Sequence, residues 1–169
     1  MPSPFALQPM PVMSRRKLDG VSEASLSRFV SRAQRGAGVA GEVNVLITSS
    51  DELQRLNREY LGKNKPTDVL SFPSALSDGG GDIAISWQIA QQNAKSLGHS
   101  LNDELKVLIL HGTLHLAGFD HENDRGEMQR LEQKLRLQLG LPQSLIERAG
   151  RTTVSRTSRK RAVGGGRKS

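Results

Sequence analysis

Residues 100–121 read SLNDELKVLILHGTLHLAGFDH. Leu101, Leu105, Leu108 and Ile109 recur at helical spacing. Ser100 stands where an N-cap belongs, with Asp103 three residues on, and Gly118 stands where a helix can be left through a left-handed turn. The segment is therefore expected to be a helix that runs into His111 and His115 and ends at Gly118. Those two histidines are four apart, so both imidazoles leave one face of the helix, one turn apart. That spacing lets two ring nitrogens reach one ion at ~2.0–2.1 Å, and the turn at Gly118 can bring His121 back to it. Three neutral ligands leave a fourth position for water, which is the arrangement of a catalytic rather than a structural zinc site. A lone histidine on an apolar face is more often a hydrogen-bonded core residue. Here three of the 4 histidines in the chain fall within this segment, which favours one Zn2+ on His111, His115 and His121.

Working back from that helix, Trp87 to Leu97 reads as a helix stopped by Gly98, and Asp82 to Ser86 as a strand with Ile83 and Ile85 on one face. Asp68 to Phe72 is a short apolar strand closed by Pro73, and Lys63-Asn64-Lys65-Pro66-Thr67 is a basic loop before it. A helix starts in the run Ser49 to Glu52, where Ser49 and Glu52 match a capping box, continues through Leu53, Leu56 and Tyr60, and ends at Gly62. Glu42 to Thr48 alternates as a strand through Val43, Val45 and Ile47. Ser22 to Gln34 reads as a helix with Leu26, Phe29, Val30 and Ala33 on one face and Gly36 as its stop. Beyond the histidines, Arg125 to Leu139 is expected as a last helix, stopped at Gly140-Leu141-Pro142. Strands cluster early and helices late, so the expected fold class is α+β: a small mixed β-sheet packed with about five helices.

The 169 residues suit one domain with one hydrophobic core. The absence of cysteine excludes a disulfide framework and a thiolate metal site, and is compatible with a reducing compartment. No apolar run approaches the ~18 residues of a membrane span. Residues 1–14, rich in proline and without a basic stretch ahead of an apolar one, are expected to be a disordered leader, and residues 15–150 the single domain. The net charge of +7 is unevenly placed. Residues 1–150 hold equal numbers of basic and acidic groups, whereas residues 151–169 hold Arg151, Arg156, Arg159, Lys160, Arg161, Arg167 and Lys168 and no acid. With few large apolar side chains, this segment is expected to be a disordered basic tail. It reads either as an auxiliary contact for a polyanion such as RNA or as a solubilising tail.

The two-histidine helix is similar to the His-Glu-x-x-His helix of zinc proteases, but Gly112 stands where that motif has its general base. Asp120 and Glu122 flank His121 and could orient a ligand or accept a proton; equally, Asp120 could cap the turn and Glu122 be solvated. The fuller pattern His-Gly-x-Leu-His-Leu-x-Gly-Phe-Asp-His resembles the signature of the YbeY family of bacterial rRNA maturation factors. So do Leu56-Asn57, Tyr60, the run from Lys63 to Pro73, Gly81-Asp82-Ile83 and Gly98-His99-Ser100, in order, over about residues 43–139.

The resemblance implies a single-strand-specific, metal-dependent endoribonuclease of the cytoplasm, acting on precursor 16S rRNA at its 3′ end and in ribosome quality control. It also implies zinc on His111, His115 and His121. Such proteins usually carry an arginine after the residue matching Tyr60; here that position is Leu61. Arg58, Lys63 and Lys65 are then the nearby cations for RNA contact, against a reading of Lys63 and Lys65 as ordinary loop charges. His99 reads either as a group at the site's rim or as a surface residue, and Trp87 either as a base-stacking platform or, more often for such a junction, as core. The nucleophile and general base are not assigned. Two rival readings remain: a zincin-like metallopeptidase, which Gly112 opposes, and a non-catalytic ribosome-assembly factor with a structural metal, which Leu61 and the tail favour.

Overall fold

Val45, Ile47, Ile83 and Ile85 supply the apolar face on which the molecule is built, and strand pairing brings them together. The computed structural model describes residues 11–75, 79–120 and 122–142. The elements run β1 (Val12–Ser14), α1 (Glu23–Ala37), β2 (Val43–Thr48), α2 (Ser50–Leu61), β3 (Val69–Pro73), β4 (Gly81–Ser86), α3 (Trp87–Leu97), α4 (Leu101–Leu116) and α5 (Glu127–Leu139). The sheet has the order β1-β2-β4-β3. β2 is parallel to both β1 and β4, with Val45 opposite Ile83 and Ile47 opposite Ile85, and β3 is antiparallel to β4. This is the small mixed sheet with five helices expected from the sequence.

One sheet face carries Val45, Ile47, Ile83 and Ile85, and joins Leu26, Phe29 and Val30 of α1, Leu105, Leu108 and Leu114 of α4, and Met128 and Leu135 of α5 in the main core. The other face carries Ala84 and Leu70, which α2 covers with Leu53 and Leu56. The inner strands β2 and β4 are buried almost throughout, as strands covered on both faces must be.

The helix starts follow the expected chemistry. Ser22, Ser49, Ser86 and Ser100 each accept a hydrogen bond from a backbone N–H in the first turn of the helix they precede. Three boundaries differ from the sequence reading by more than one residue. α1 runs through Gly36 to a left-handed cap at Gly38, because Gly36 lies under Leu135 of α5 and its missing side chain is a packing device rather than a stop. α5 begins at Glu127 rather than at Arg125, because Asp124 accepts hydrogen bonds from the backbone N–H groups of Gly126 and Met128. The third difference is at the N-terminus, where residues 1–14 were expected to form a leader. Val12–Ser14 instead pair with Val45–Ile47, and Val12 is fully buried. A three-residue strand preceded by prolines has too little periodicity to be read from sequence. The basic tail and residues 1–10 lie outside the described residues.

α4 is buried on nearly every side, between the sheet, α1, α3 and α5. Leu108 lies at its middle with no exposed surface. Leu108→Ala is expected to destabilise the protein by about 2–5 kcal/mol, through lost burial plus a residual cavity, read as a lower urea midpoint at unchanged slope.

Candidate metal centre

α4 is pressed onto the sheet at its glycine. A Cβ built on Gly112 would lie 3.0 Å from two side-chain carbons of Ile83 and 3.1 Å from Ser71 Oγ. That hydroxyl donates to the Gly112 carbonyl at 3.1 Å. The contact sets the last turn of α4, and with it His111 and His115, against β3 and β4, with Leu116 beside Gly81 at the start of β4.

The two imidazoles converge. Their Nε2 atoms are 3.2 Å apart, with ring centroids 4.8 Å apart and planes at 78°. Each Nδ1 faces an acceptor: His111 Nδ1 is 3.3 Å from Glu132 Oε2, and His115 Nδ1 is 3.0 Å from the Phe119 carbonyl. These partners assign the hydrogen of each ring to Nδ1, which then donates, and leave the two Nε2 lone pairs turned toward each other. Two nitrogens bound at ~2.05 Å to one tetrahedral ion would be about 3.3 Å apart, so the observed separation fits a shared cation. Outer partners on the second ring nitrogen are the usual means of aiming metal-ligating histidines. Gly118 has φ +95°, a backbone conformation that glycine adopts readily, and it turns the chain out of α4 as expected. His121, the third expected ligand, lies outside the described residues.

Glu132 was not among the sequence-derived candidates. It is 1% exposed, and its Oε1 is buried without a hydrogen-bond partner among the described residues. A buried carboxylate costs several kcal/mol unless a positive charge is close, so its place beside His111 also suits a cation. The signal was available: Glu132 interrupts the apolar stripe of Met128, Leu131, Leu135 and Leu139.

The histidines open onto a cleft of about 560 Å³, lined among others by Leu61, Lys63, Asp68 and Asp120. Of the three expected RNA-contact residues, Lys63 lines the cleft. Arg58 and Lys65 are exposed but do not line it. Leu61 is 45% exposed at the cleft, not packed into the core. Asp120 acts as a turn cap, accepting from the Glu122 backbone N–H and the Asn123 amide, and Glu122 is exposed. Trp87 packs against the main core with the Arg16 guanidinium 4.5 Å over its ring, so the core reading of this residue holds.

Asp68 is a second group the sequence reading passed over. Burial pushes its carboxyl above the usual range, partly offset by a backbone hydrogen bond and by the proximity of His111. Its Oδ2 accepts from Asn93 Nδ2 at 3.2 Å. His99, read from sequence as either rim or surface, pairs with Glu104.

Residues 12–140 match the family model described as Endoribonuclease YbeY. The chain is 56% identical to the endoribonuclease YbeY of Koribacter versatilis over 150 residues, covering 89% of this chain and 99% of that protein. It is 45% identical to the endoribonuclease YbeY of Solibacter usitatus over 137 residues, covering 81% and 92%. The solution structure of TM1509 from Thermotoga maritima is similar at 29% identity and a TM-score of 0.50, covering 73% of this chain and 85% of that one. These similarities define the class of protein as an endoribonuclease with RNA as its substrate. Within that class, the chain belongs to the YbeY family. Among the described residues, no helix is long and apolar enough to cross a membrane.

The crowding at Gly112 bears directly on the peptidase alternative. A glutamate there would have to push Ile83 and Ser71 aside. Gly112→Glu is expected to destabilise the protein by at least ~3 kcal/mol, through overpacking and a buried carboxylate, and to confer no peptide hydrolysis. A lowered thermal midpoint with an inert peptide substrate would bear this out, whereas a stable variant that hydrolyses peptides would refute it.

Proposed function

We propose that this protein is a single-strand-specific, metal-dependent endoribonuclease that acts in the cytoplasm on the 3′ end of precursor 16S rRNA and in ribosome quality control. Its metal would be one Zn2+ held by His111, His115 and His121. The observation that carries the metal assignment is the 3.2 Å approach of the two Nε2 atoms while both Nδ1 atoms face acceptors. Zinc bound there supplies a Lewis acid for a phosphoryl oxygen and lowers the pKa of water. The chain's own groups do the rest. Glu132 and the Phe119 carbonyl hold the rings in the ligating tautomer. Lys63 is placed to meet a phosphate at the cleft wall, and an open cleft of this kind takes an extended strand more readily than a duplex. The basic tail, residues 151–169, would add a sequence-independent RNA contact on the precursor or the ribosome.

Replacing any one of His111, His115 and His121 by Ala should lower zinc content and cleavage of a single-stranded RNA together. Elemental analysis of the purified variants beside the cleavage assay checks this. Full zinc in His121→Ala would remove that residue from the ligand set.

Leu61 carries a second expectation. Because it is exposed on the cleft, Leu61→Arg adds a planar donor fork near the phosphate path without burying a charge. Cleavage should become several-fold faster, at unchanged zinc content and thermal midpoint. An unchanged rate would mean that Lys63 already supplies the cation needed there.

A further inference from the structure

Four polar residues from different parts of the chain join in one line that ends in the cleft. His99 Nε2, in the turn between α3 and α4, lies 2.5 Å from Glu104 Oε2. Glu104 Oε1 is 3.4 Å from Asn93 Nδ2 of α3, and the same amide donates to Asp68 Oδ2 at 3.2 Å. Glu104 is completely buried, and the His99 side chain is 11% exposed. The Asp68 backbone is held as well, its carbonyl accepting from the Ser86 N–H at 2.9 Å. Burying such a line costs free energy that apolar packing would not. Its one outlet toward solvent on the functional side is Asp68, which shares the cleft wall with His111 and Lys63.

A carboxylate is out of place in a cleft that takes a polyanion, because it repels phosphate oxygens. The partner it can take from such a substrate is a neutral donor. The donor present at every nucleotide of RNA, and absent from DNA, is the ribose 2′-hydroxyl. We infer that Asp68 accepts a hydrogen bond from a substrate 2′-hydroxyl, and so selects RNA over DNA, while Asn93 and Glu104 are positioning residues that hold its carboxylate in the cleft. This inference rests on the ribonuclease reading above. The line of contacts explains why a buried histidine–carboxylate contact lies two turns along α4 from His111: it is the anchor that fixes the amide of Asn93, and the amide fixes Asp68.

The test uses the zinc-loaded full chain and single-stranded oligoribonucleotides, each carrying one 2′-deoxy nucleotide outside the scissile position. For the wild type, one position should raise KM about tenfold with kcat little changed, the scale of a hydrogen bond to a charged acceptor. Asp68→Ala should raise KM of the all-ribose substrate by a similar factor and lose sensitivity to that deoxy position, as two partners of one contact must. Asp68→Asn, which keeps a carbonyl acceptor, should fall between. Asn93→Ala should raise KM and shrink the deoxy penalty, at unchanged zinc content. Several outcomes would overturn the inference. These are a wild type indifferent to every deoxy position, a deoxy penalty that persists in Asp68→Ala, a loss that follows one base identity and so points to an exocyclic amine, or a fall in zinc content on replacing Asp68. If Asp68→Ala does not fold, the wild-type scan with Asp68→Asn and Asn93→Ala still decides. If the wild type fails to cleave the all-ribose strand, the ribonuclease reading falls, and the same scan read as binding by fluorescence anisotropy judges Asp68 separately.

Discussion

The contact between Gly112 and the sheet is the constraint from which the site follows. A Cβ at position 112 would stand 3.0 Å from Ile83 and 3.1 Å from Ser71, closer than ordinary packing, so those side chains would have to give way. At that distance the last turn of α4 brings two imidazoles into the cleft that Lys63 and Asp68 also line. The absent side chain thus has two consequences. It admits the helix to the sheet, and it removes the position from which a zinc-protease helix supplies its general base. The geometry that builds this cleft therefore works against the glutamate-based chemistry of that helix.

Much of this was legible in the sequence, because the relevant signals are local. Ser22, Ser49 and Ser100 cap helices where the sequence places their starts, and Gly62 and Gly98 end α2 and α3. His111 and His115 needed only the pitch of a helix to be paired. What escaped is what depends on contacts distant in sequence. Val12–Ser14 is a strand because β2 offers an open edge, not because three residues favour extension. Gly36 looked like a stop and is a seat for Leu135 of α5. Arg58, Lys63 and Lys65 were chosen for nearness in sequence to Leu61, and of the three only Lys63 lines the cleft, because Arg58 and Lys65 lie on exposed surface beside it.

The buried acids form a third category, present in the sequence but unread. Glu104 and Glu132 each interrupt an apolar stripe, one on α4 and one on α5, and each meets a histidine: Glu104 meets His99 and Glu132 meets His111. A charged residue at a core position of an amphipathic helix is too costly to be incidental. Weighed as such, it would have pointed to a partner before any coordinates. The stripe on α4 is longer than the histidine pair suggests. Positions 104, 111 and 115 fall within one narrow sector of the helix, with the buried Leu108 between them, so polar groups recur over three turns of a largely buried helix.

That arrangement separates the tasks of α4. Leu105, Ile109, Leu110 and Leu114 supply burial, each such side chain worth roughly 1.5–3 kcal/mol, and this offsets the cost of desolvating Glu104 and the imidazoles. Were the helix amphipathic in the ordinary sense, its polar side would face water and its histidines would be free to turn. Because it is covered on nearly every side, Glu104, His111 and His115 each meet a protein partner, and each partner restricts a ring or a carboxylate to one orientation. The rigidity a metal site needs therefore comes from the same burial that stabilises the fold. Among the described residues, the cleft is open to solvent at Leu61, Lys63, Pro73 and Gly118, where substitution need not disturb the buried partners.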